Sequence, residues 1–427
     1  MAEKKRDLLD DLIDIQDDWQ AVSNPLSGIA DSLAEDPAKR KVFDPASYKE
    51  KPWANASRCL RCNSDRDDAC RRCLDVCPTH AISIHKKAVN ISEDDCRKCG
   101  LCQAVCPTET FNTRRHMAKQ LYDNIARVAS SYEDCYITCT RALKRIPKPN
   151  EICLPCVGMI SRDLWFSILV DYTNVSVYLP LGICDRCRTT TGEQTYSDAI
   201  ATAEEWAKGA VGLEVDEKDL THEFTREYKR SQFVSSAIHA TETVVTRKSR
   251  TLAGAQAVAK KVSDHAKRLD NLQRELENAV GAKSTSNRQR LLTQNRKLMM
   301  GGLQHDAELA KDIRLEVPVC DPDLCTACGD CVKACVTHAI DLDDSGRIHV
   351  QHPYCVNCGA CAIICPENAL TMTKVDATEL VVVDKNAEEV ARQKAKAKKE
   401  AKELMEKGKK QLSKTADSLE KLADDKD

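Results

Sequence analysis

The amino-acid sequence predicts an α+β protein in which two small cysteine-rich modules flank an α/β domain and a helical hairpin. The chain has 427 residues and 24 cysteines, and sixteen of the cysteines form two copies of one spacing pattern near its ends. Between the copies, short apolar runs alternate with helical runs, and a heptad repeat follows them. The expected domains are a helical leader (1–50), a first module (57–115), the α/β domain (130–212), the helical hairpin (220–312), a second module (317–376) and a charged helical or disordered tail (386–427).

The cysteines of the second module form two quartets, each spaced C-x2-C-x2-C-x3-C. In such runs three thiolates of one quartet bind an iron–sulfur cluster and the fourth binds the neighbouring cluster. The predicted ligands are Cys325, Cys328, Cys331 and Cys365 for one [4Fe–4S] cluster, and Cys355, Cys358, Cys361 and Cys335 for the other. Structural zinc takes four ligands from two pairs, which would leave the third and fourth cysteine of each quartet without a role.

Over its whole length this module resembles the bacterial two-cluster [4Fe–4S] ferredoxins, and two such modules would make the chain polyferredoxin-like. The resemblance implies a pseudo-twofold module with short strands and two short helices. The sequence departs from the family at Val336, where proline usually follows the fourth cysteine. Gly100, Gly329 and Gly359 follow the second cysteine of their runs, where a residue without a Cβ lets the backbone approach a cluster.

The first module repeats the pattern with one interruption. Its second half predicts a cluster held by Cys77, Cys96, Cys99 and Cys102. In its first half, an insertion at 63–69 separates Cys59 and Cys62 from Cys70 and Cys73. The x3 step to Cys77 favours Cys73 as a ligand, so the predicted set is Cys59, Cys62, Cys73 and Cys106, with Cys70 as the alternative to Cys73. Cys320, before the second module, is expected to be a thiol without a ligand role.

The middle domain combines strand-like runs at 136–137, 152–154 and 175–179 with helical runs at 161–172 and 194–208. This alternation predicts a small parallel sheet. The cysteines follow the strands, at the edge where ligands gather in open α/β sheets. The candidate metal ligands are Cys139, Cys153, Cys156, Cys184 and Cys187, with Cys135 as a weaker candidate.

Residues 132–210 resemble the small iron–sulfur (delta) subunit of methyl-viologen-reducing hydrogenases. The resemblance rests on a cysteine–arginine strand end (Cys139 and Arg141), the Leu-Pro-Cys-Val-Gly step at 154–158 and the closing pair Cys184 and Cys187. It implies a [2Fe–2S] relay between a hydrogenase-type or other donor and a flavin partner. The alternatives are a structural zinc site on Cys153, Cys156, Cys184 and Cys187, and a dithiol redox pair.

The heptad repeat predicts a coiled coil that forms one arm of the hairpin. Its seam consists of Val258, Val262, His265, Leu269, Leu272, Leu276 and Ala279. A second arm is expected to resume at Leu291 and to end before Gly301 and Gly302. His265 is expected to be a seam residue and not a ligand. The Lys-rich tail is expected to be solvated, with contact to an acidic partner as the alternative.

Charge and apolar patterning exclude several classes of protein. The formal net charge is −2, so nucleic acid is not an expected partner. No run approaches 18 apolar residues, and the first residues lack the apolar core of a signal sequence. We therefore expect a cytoplasmic protein, in which clustered cysteines indicate metal and not disulfides. No dinucleotide fingerprint, P-loop or HExxH motif is present.

The leading hypothesis is a non-catalytic electron-transfer subunit with up to four [4Fe–4S] clusters and a central metal site. Its expected partners are redox proteins, such as a flavoprotein, a hydrogenase or another reductase or dehydrogenase subunit. Two alternatives remain open. The middle domain could reduce disulfides with electrons from the clusters, or the chain could be a scaffold of a redox complex. The sequence does not fix the oligomeric state.

Overall fold

The computed structural model describes residues 42–64, 66–226, 228 and 250–382, with side chains from Val258 onward in the helix that begins at Arg250. Most of the leader predicted at 1–50, part of the 220–312 region and the tail at 386–427 lie outside these residues. The described part mixes helices and strands, in agreement with the predicted α+β class. Every helix in the described ranges is too short or too polar to span a lipid bilayer.

The first module contains two antiparallel strand pairs and two helices of five residues. Its elements are β1 (Trp53–Ala54), α1 (Arg72–Val76), β2 (Ile82–His85), β3 (Ala88–Ile91), α2 (Leu101–Val105) and β4 (Phe111–Asn112). Strand β1 pairs with β4 through two residues each, which brings the two ends of the module together. Strands β2 and β3 form a hairpin. Each helix ends at the fourth cysteine of its run, Cys77 or Cys106.

The middle domain is a four-stranded parallel sheet with helices. Its elements are α3 (Ala118–Ser131), β5 (Cys135–Cys139), α4 (Thr140–Leu143), β6 (Glu151–Leu154), α5 (Arg162–Asp171), β7 (Val175–Tyr178), α6 (Gly192–Ala207) and β8 (Gly212–Glu214). The strand order is β6-β5-β7-β8, and all three pairs are parallel. Ile137, Val177, Trp165 and Phe166 are buried between the sheet and its helices. The parallel sheet predicted from the alternating runs is therefore present.

Two further helices, α7 (Arg250–Val280) and α8 (Gln294–His305), follow this domain. The seam residues Val258, Leu269, Leu272 and Leu276 are buried, as the heptad repeat predicts. His265 stacks on Tyr122 of α3, with 4.4 Å between the ring centroids. Helix α7 therefore packs against α3 as well as against α8.

The predicted limits of the second arm are wrong at both ends. Helix α8 begins at Gln294, where the Thr293 side chain accepts the backbone N–H of Arg296 as an N-cap. The helix then continues through Gly301 and Gly302. A Cβ on Gly301 would lie 2.5 Å from Leu269, and one on Gly302 would lie 3.2 Å from Phe166. The glycines therefore serve close packing inside the helix, which overrides their low helix propensity.

The second module follows the same plan as the first. Its elements are β9 (Arg314–Cys320), α9 (Asp330–Ala334), β10 (Ile340–Leu342), β11 (Ile348–Val350), α10 (Ala360–Ile364) and β12 (Leu370–Asp376). Strands β9 and β12 pair antiparallel along seven residues each, and β10 pairs with β11. Gly329 and Gly359 start the two helices with positive φ angles of 76° and 78°, and Gly100 starts α2 with 82°. These left-handed positions explain the glycine after the second cysteine.

Candidate iron–sulfur centres

The cysteines of the second module gather in two sets, each of which lines a small cavity. One cavity is lined by Cys325, Cys328, Cys331 and Cys365, and the other by Cys335, Cys355, Cys358 and Cys361. In both sets the fourth thiol comes from the other quartet, as the spacing predicts. Short helices and loops aim four sulfurs at one space, which suits a cubane held by thiolates.

Backbone amides support this interpretation at three equivalent positions. The N–H groups of Ala81, Thr110 and Ala339 each donate to the sulfur four residues earlier, at 3.3 Å in every case. The accepting sulfurs belong to Cys77, Cys106 and Cys335, the fourth cysteines of their runs. Hydrogen bonds to ligand sulfurs stabilise thiolates and tune iron–sulfur centres. The donor set therefore fits the group that the spacing implies.

The second half of the first module brings Cys77, Cys96, Cys99 and Cys102 together. Burial raises the pKa of Cys102 well above its usual value, and repulsion from nearby thiols, including these three, raises it further. Burial and repulsion from Cys77 likewise raise the pKa values of Cys96 and Cys99. A metal that binds these thiols displaces their protons, and its positive charge compensates the repulsion between the resulting thiolates.

The first half of this module offers five thiols for four positions. Burial raises the pKa of Cys73 to about 12, with further repulsion from Cys106, Cys70 and Cys59. Cys70 also has Cys106 and Cys59 as neighbours. Burial raises its pKa, and repulsion from these two thiols raises it further. Cys62 is buried and interacts with Cys59. Cys62 packs with Cys59 and Cys73 in one buried cluster that Cys106 borders. The structure thus places both Cys62 and Cys70 near the other thiols of this half, whereas the predicted set contains Cys62 and has Cys70 as the alternative to Cys73.

In the middle domain, four thiols gather beyond the carboxyl ends of the strands. Cys139 is the last residue of β5, and its pKa is raised by burial and by repulsion from Cys187. Burial raises the pKa of Cys156 to about 12, and Cys139 and Cys187 contribute. Burial raises that of Cys184 to about 11, again with Cys139 and Cys187 nearby. The Arg141 guanidinium donates to the carbonyls of Ile183 and Arg186 and so holds the closing loop.

The two other candidates of this domain lie apart from that group. Cys153 borders Cys139 but packs into an apolar cluster with Tyr136, Leu143, Tyr178 and Leu220. Cys135 is fully buried at the start of β5. Burial raises its pKa, and the charge of Asp134 raises it further. Cys320, expected to have no ligand role, lies beside Cys325: burial and a hydrogen bond with Cys325 raise its pKa to about 11.

Neighbouring cysteine sets lie close to one another. Cys102 repels Cys73 within the first module, and Cys361 repels Cys331 within the second. Cys156 of the middle domain is close enough to Cys99 for that thiol to raise its pKa. At the same place a Cβ on Gly158 would lie 2.6 Å from the Leu101 side chain. The middle site therefore lies against the second half of the first module.

The two modules meet at a small apolar junction. Leu60 packs with Val336 and Ala360, and Cys70 and Cys358 border this cluster. Val336, which replaces the usual proline of the family, is thus a buried contact between the modules.

Two arginines of the first module donate hydrogen bonds to carbonyl groups of the second module across this junction. The Arg66 guanidinium donates to the carbonyl of Ile363 at 2.9 Å, and Arg72 donates to the carbonyl of Asn357 at 3.5 Å.

Several buried charges near the cysteine sets were not found from the sequence. Arg290 and Asp341 form an ion pair of 2.6 Å with both side chains buried. The Glu109 carboxylate accepts the backbone N–H groups of Gln294 and Asn295 at the start of α8. Arg296, on the same helix, is fully buried and donates to the carbonyl of Cys355 at 2.7 Å. Nothing in the local spacing marks these residues, because their partners are distant in sequence.

In the part of the chain that the structure describes, no group of three or more His, Cys, Asp or Glu side chains is arranged around a single metal ion. The thiolates of a polynuclear cluster bind different irons and are held further apart than the ligands of one ion. The cysteine sets described above are compatible with this finding.

Comparisons with known proteins identify both modules. Residues 68–110 and 324–369 match the 4Fe-4S dicluster domain. A ferredoxin from Pyrobaculum islandicum is 38% identical over 65 residues, which are 15% of this chain and 58% of that protein. The pyruvate synthase subunit PorD of Methanocaldococcus jannaschii is 33% identical over 57 residues, 13% of this chain and 66% of PorD.

A third relative is the polyferredoxin-like subunit of an aliphatic sulfonate oxidoreductase from Pyrococcus furiosus. It is 42% identical over 48 residues, 10% of this chain and 28% of that subunit. The chain thus spans less than two thirds of the length of each of these three relatives. No solved structure matches the chain significantly. The matches and the cysteine geometry lead to one conclusion: the two modules are dicluster domains that carry [4Fe–4S] clusters.

Proposed function

We propose that this protein is an electron-transfer subunit in which the cysteine sets of both modules form one continuous relay. A [4Fe–4S] cluster supplies a one-electron couple whose reduced form carries one more negative charge than its oxidised form. The observation that carries the proposal is that each cysteine set borders the next, both within a module and across the junction between modules. The chain's own role in the relay is to hold the sets in place.

The proposed order has two ends. At one end, Cys325, Cys328, Cys331 and Cys365 border the set of Cys335, Cys355, Cys358 and Cys361. The junction at Leu60 and Ala360 leads to Cys59, Cys70, Cys73 and Cys106, and then to Cys77, Cys96, Cys99 and Cys102. The site in the middle domain is the other end. Cys328 is exposed beside the half-exposed Leu324, so this loop is the proposed contact for one partner.

We assign the middle site to Cys139, Cys156, Cys184 and Cys187. The resemblance to a hydrogenase delta subunit favours a [2Fe–2S] cluster there, and a structural zinc ion is the alternative. The contact between Cys156 and Cys99 favours a redox centre, since a relay gains from a centre at this position. Cys153 and Cys135 have no ligand role in this assignment.

The proposed partners are other subunits of an oxidoreductase complex in the cytoplasm. Two relatives are named as subunits of such enzymes, a pyruvate synthase and an aliphatic sulfonate oxidoreductase. Both names describe those proteins, and the substrate of the complex that contains this chain is left open. A flavoprotein or a hydrogenase subunit would suit the proposed circuit.

The test is an iron and sulfide count on anaerobically purified full-length protein. Four filled [4Fe–4S] sets give about sixteen irons and as many sulfides per chain, with a brown colour, and a [2Fe–2S] cluster in the middle domain would add about two of each. Cys102→Ala and Cys361→Ala should each lose about four irons and one reduced signal in electron paramagnetic resonance (EPR). Cys320→Ala is the matched control and should keep the full content. Colourless protein, or zinc in place of iron, would refute the relay.

A further inference from the structure

Helix α8 places one positive charge inside the protein, beside the second module. The Arg296 side chain is 2% exposed. Its guanidinium donates to the carbonyl of Cys355 at 2.7 Å, to Asn357 Oδ1 and to the sulfur of Met299 at 3.4 Å. Its Nε has no hydrogen-bond partner. A buried guanidinium is costly unless another charge compensates it.

Arg290 and Arg296 lie six positions apart, and both contact the second module, but only one is neutralised. Arg290 pairs with the buried carboxylate of Asp341. Among the residues that the structure describes, no carboxylate forms an ion pair with Arg296. The carboxylate whose charge acts on it is that of Asp163, and Asp163 is itself paired with Arg162 at 3.3 Å.

The charge of Arg296 acts on the set formed by Cys335, Cys355, Cys358 and Cys361. Burial raises the pKa of Cys355, and the Arg296 charge opposes that rise. From the first module, Arg72 acts on Cys358 in the same direction. The other set of this module has acidic neighbours in sequence, with Asp321, Asp323 and Asp330 around its exposed loop. The two sets therefore differ in electrostatic surroundings.

We propose that Arg296 is a positioning residue that raises the reduction potential of the centre held by Cys335, Cys355, Cys358 and Cys361. This inference rests on the proposed function. When one electron enters, the net negative charge of the centre grows by one, and the nearby guanidinium stabilises the added charge. No proton transfer or bond cleavage is required. Burial acts in the opposite direction, because it disfavours the more highly charged form, and Arg296 offsets this effect.

The guanidinium is suited to this role by its chemistry. Arginine remains protonated in proteins, so its charge does not depend on pH in the accessible range. Its contacts with the Cys355 carbonyl and with Asn357 fix it to the loop that carries two of the four thiols. The negative centre in turn supplies the compensating charge that buried arginine requires.

The test is an EPR-monitored redox titration of anaerobically reconstituted full-length protein. In Arg296→Met we expect one reduced component to shift to a lower midpoint potential while the others keep theirs. Arg296→Lys should keep this midpoint potential close to its native value, since it keeps the positive charge. The matched control is the double variant Arg290→Gln/Asp341→Asn. It removes an ion pair without net charge that joins the residues before α8 to β10 of the second module, so its midpoint potentials should equal those of the native protein.

Iron content separates the outcomes. Full iron content with unchanged midpoint potentials in Arg296→Met would overturn the proposal, as would an equal shift in the double control. If Arg296→Met loses iron, Arg296→Gln decides: its amide can still donate to the Cys355 carbonyl without the positive charge, so it should lower the same potential, and no shift would overturn the proposal. A native protein with no iron or without reduced cubane signals would refute the relay itself and not the role of Arg296 alone.

Discussion

The two dicluster modules share one plan but differ in how they hold it. The second module is closed by seven-residue strands β9 and β12, whereas the first is closed by β1 and β4, of two residues each. Both helices of the second module begin at a glycine with positive φ. In the first module, α1 is preceded by Arg71 with a φ of −126°, and an insertion separates Cys62 from Cys70. The first module is therefore the less regular of the two.

The first module relies on the rest of the protein for what its own strands do not supply. Glu109 accepts two N–H groups from the start of α8. The Thr191 hydroxyl, at the start of α6, donates to the carbonyl of Val76 at 2.6 Å. The comparison indicates that a dicluster module can have short closing strands when neighbouring domains hold its loops in place.

The largest expected effect concerns Cys70 and Cys62. Cys70 lies seven positions before Cys77, and Cys328 lies seven positions before Cys335, so the two cysteines occupy equivalent places in their runs. We therefore expect Cys70→Ala and Cys328→Ala each to lose about four irons, and Cys62→Ala to lose none. Iron and sulfide analysis with EPR measures this. Loss of a cluster in Cys62→Ala with retention in Cys70→Ala would restore the ligand set predicted from the sequence.

An intermediate effect is expected from Glu109. Glu109→Ala removes the acceptor of two backbone N–H groups at a buried site and should cost about 1–3 kcal/mol of local stability. Hydrogen exchange at α2 and β4 should accelerate about 5- to 150-fold, while exchange at β9 and β12 stays unchanged. Glu367→Ala, at an exposed position of the second module, is the control. Equal acceleration in both modules would contradict the dependence of the first module on its neighbours.

The smallest expected effect is at the junction. Val336→Ala removes two buried methyl groups from the contact with Leu60 and Ala360 and should cost about 1 kcal/mol. Urea-induced loss of cluster absorbance should occur at lower urea concentration. Val319→Ala, with 47% exposure on β9, should behave like the native protein. An unchanged midpoint urea concentration in Val336→Ala would mean that the junction adds no stability.

Local spacing allowed much of this molecule to be predicted. Patterns of residues that are close together in the sequence predicted the ligand quartets of the second module, the parallel sheet and the buried seam at Leu269 and Leu272. The insertion before Cys70 broke the register, so spacing alone did not group Cys70 with Cys73. The sequence predicts a helix end before Gly301, because its packing partner Leu269 lies 32 residues earlier and local patterning does not reveal that contact. Glu109, Arg296 and the junction involve contacts between distant segments, which no periodicity reveals.

The exchange of fourth cysteines has a consequence for biogenesis. In the proposed sets, Cys59, Cys70 and Cys73 share a centre with Cys106, and Cys77 completes a centre with thiols that follow it in the chain. A ribosome delivers the chain from its N-terminus, so the first centre cannot close until Cys106 has emerged. Iron delivery to either end of this protein must therefore wait for a whole module of nascent chain, and a chain truncated before Cys106 would leave Cys59 and its neighbours exposed to oxidation.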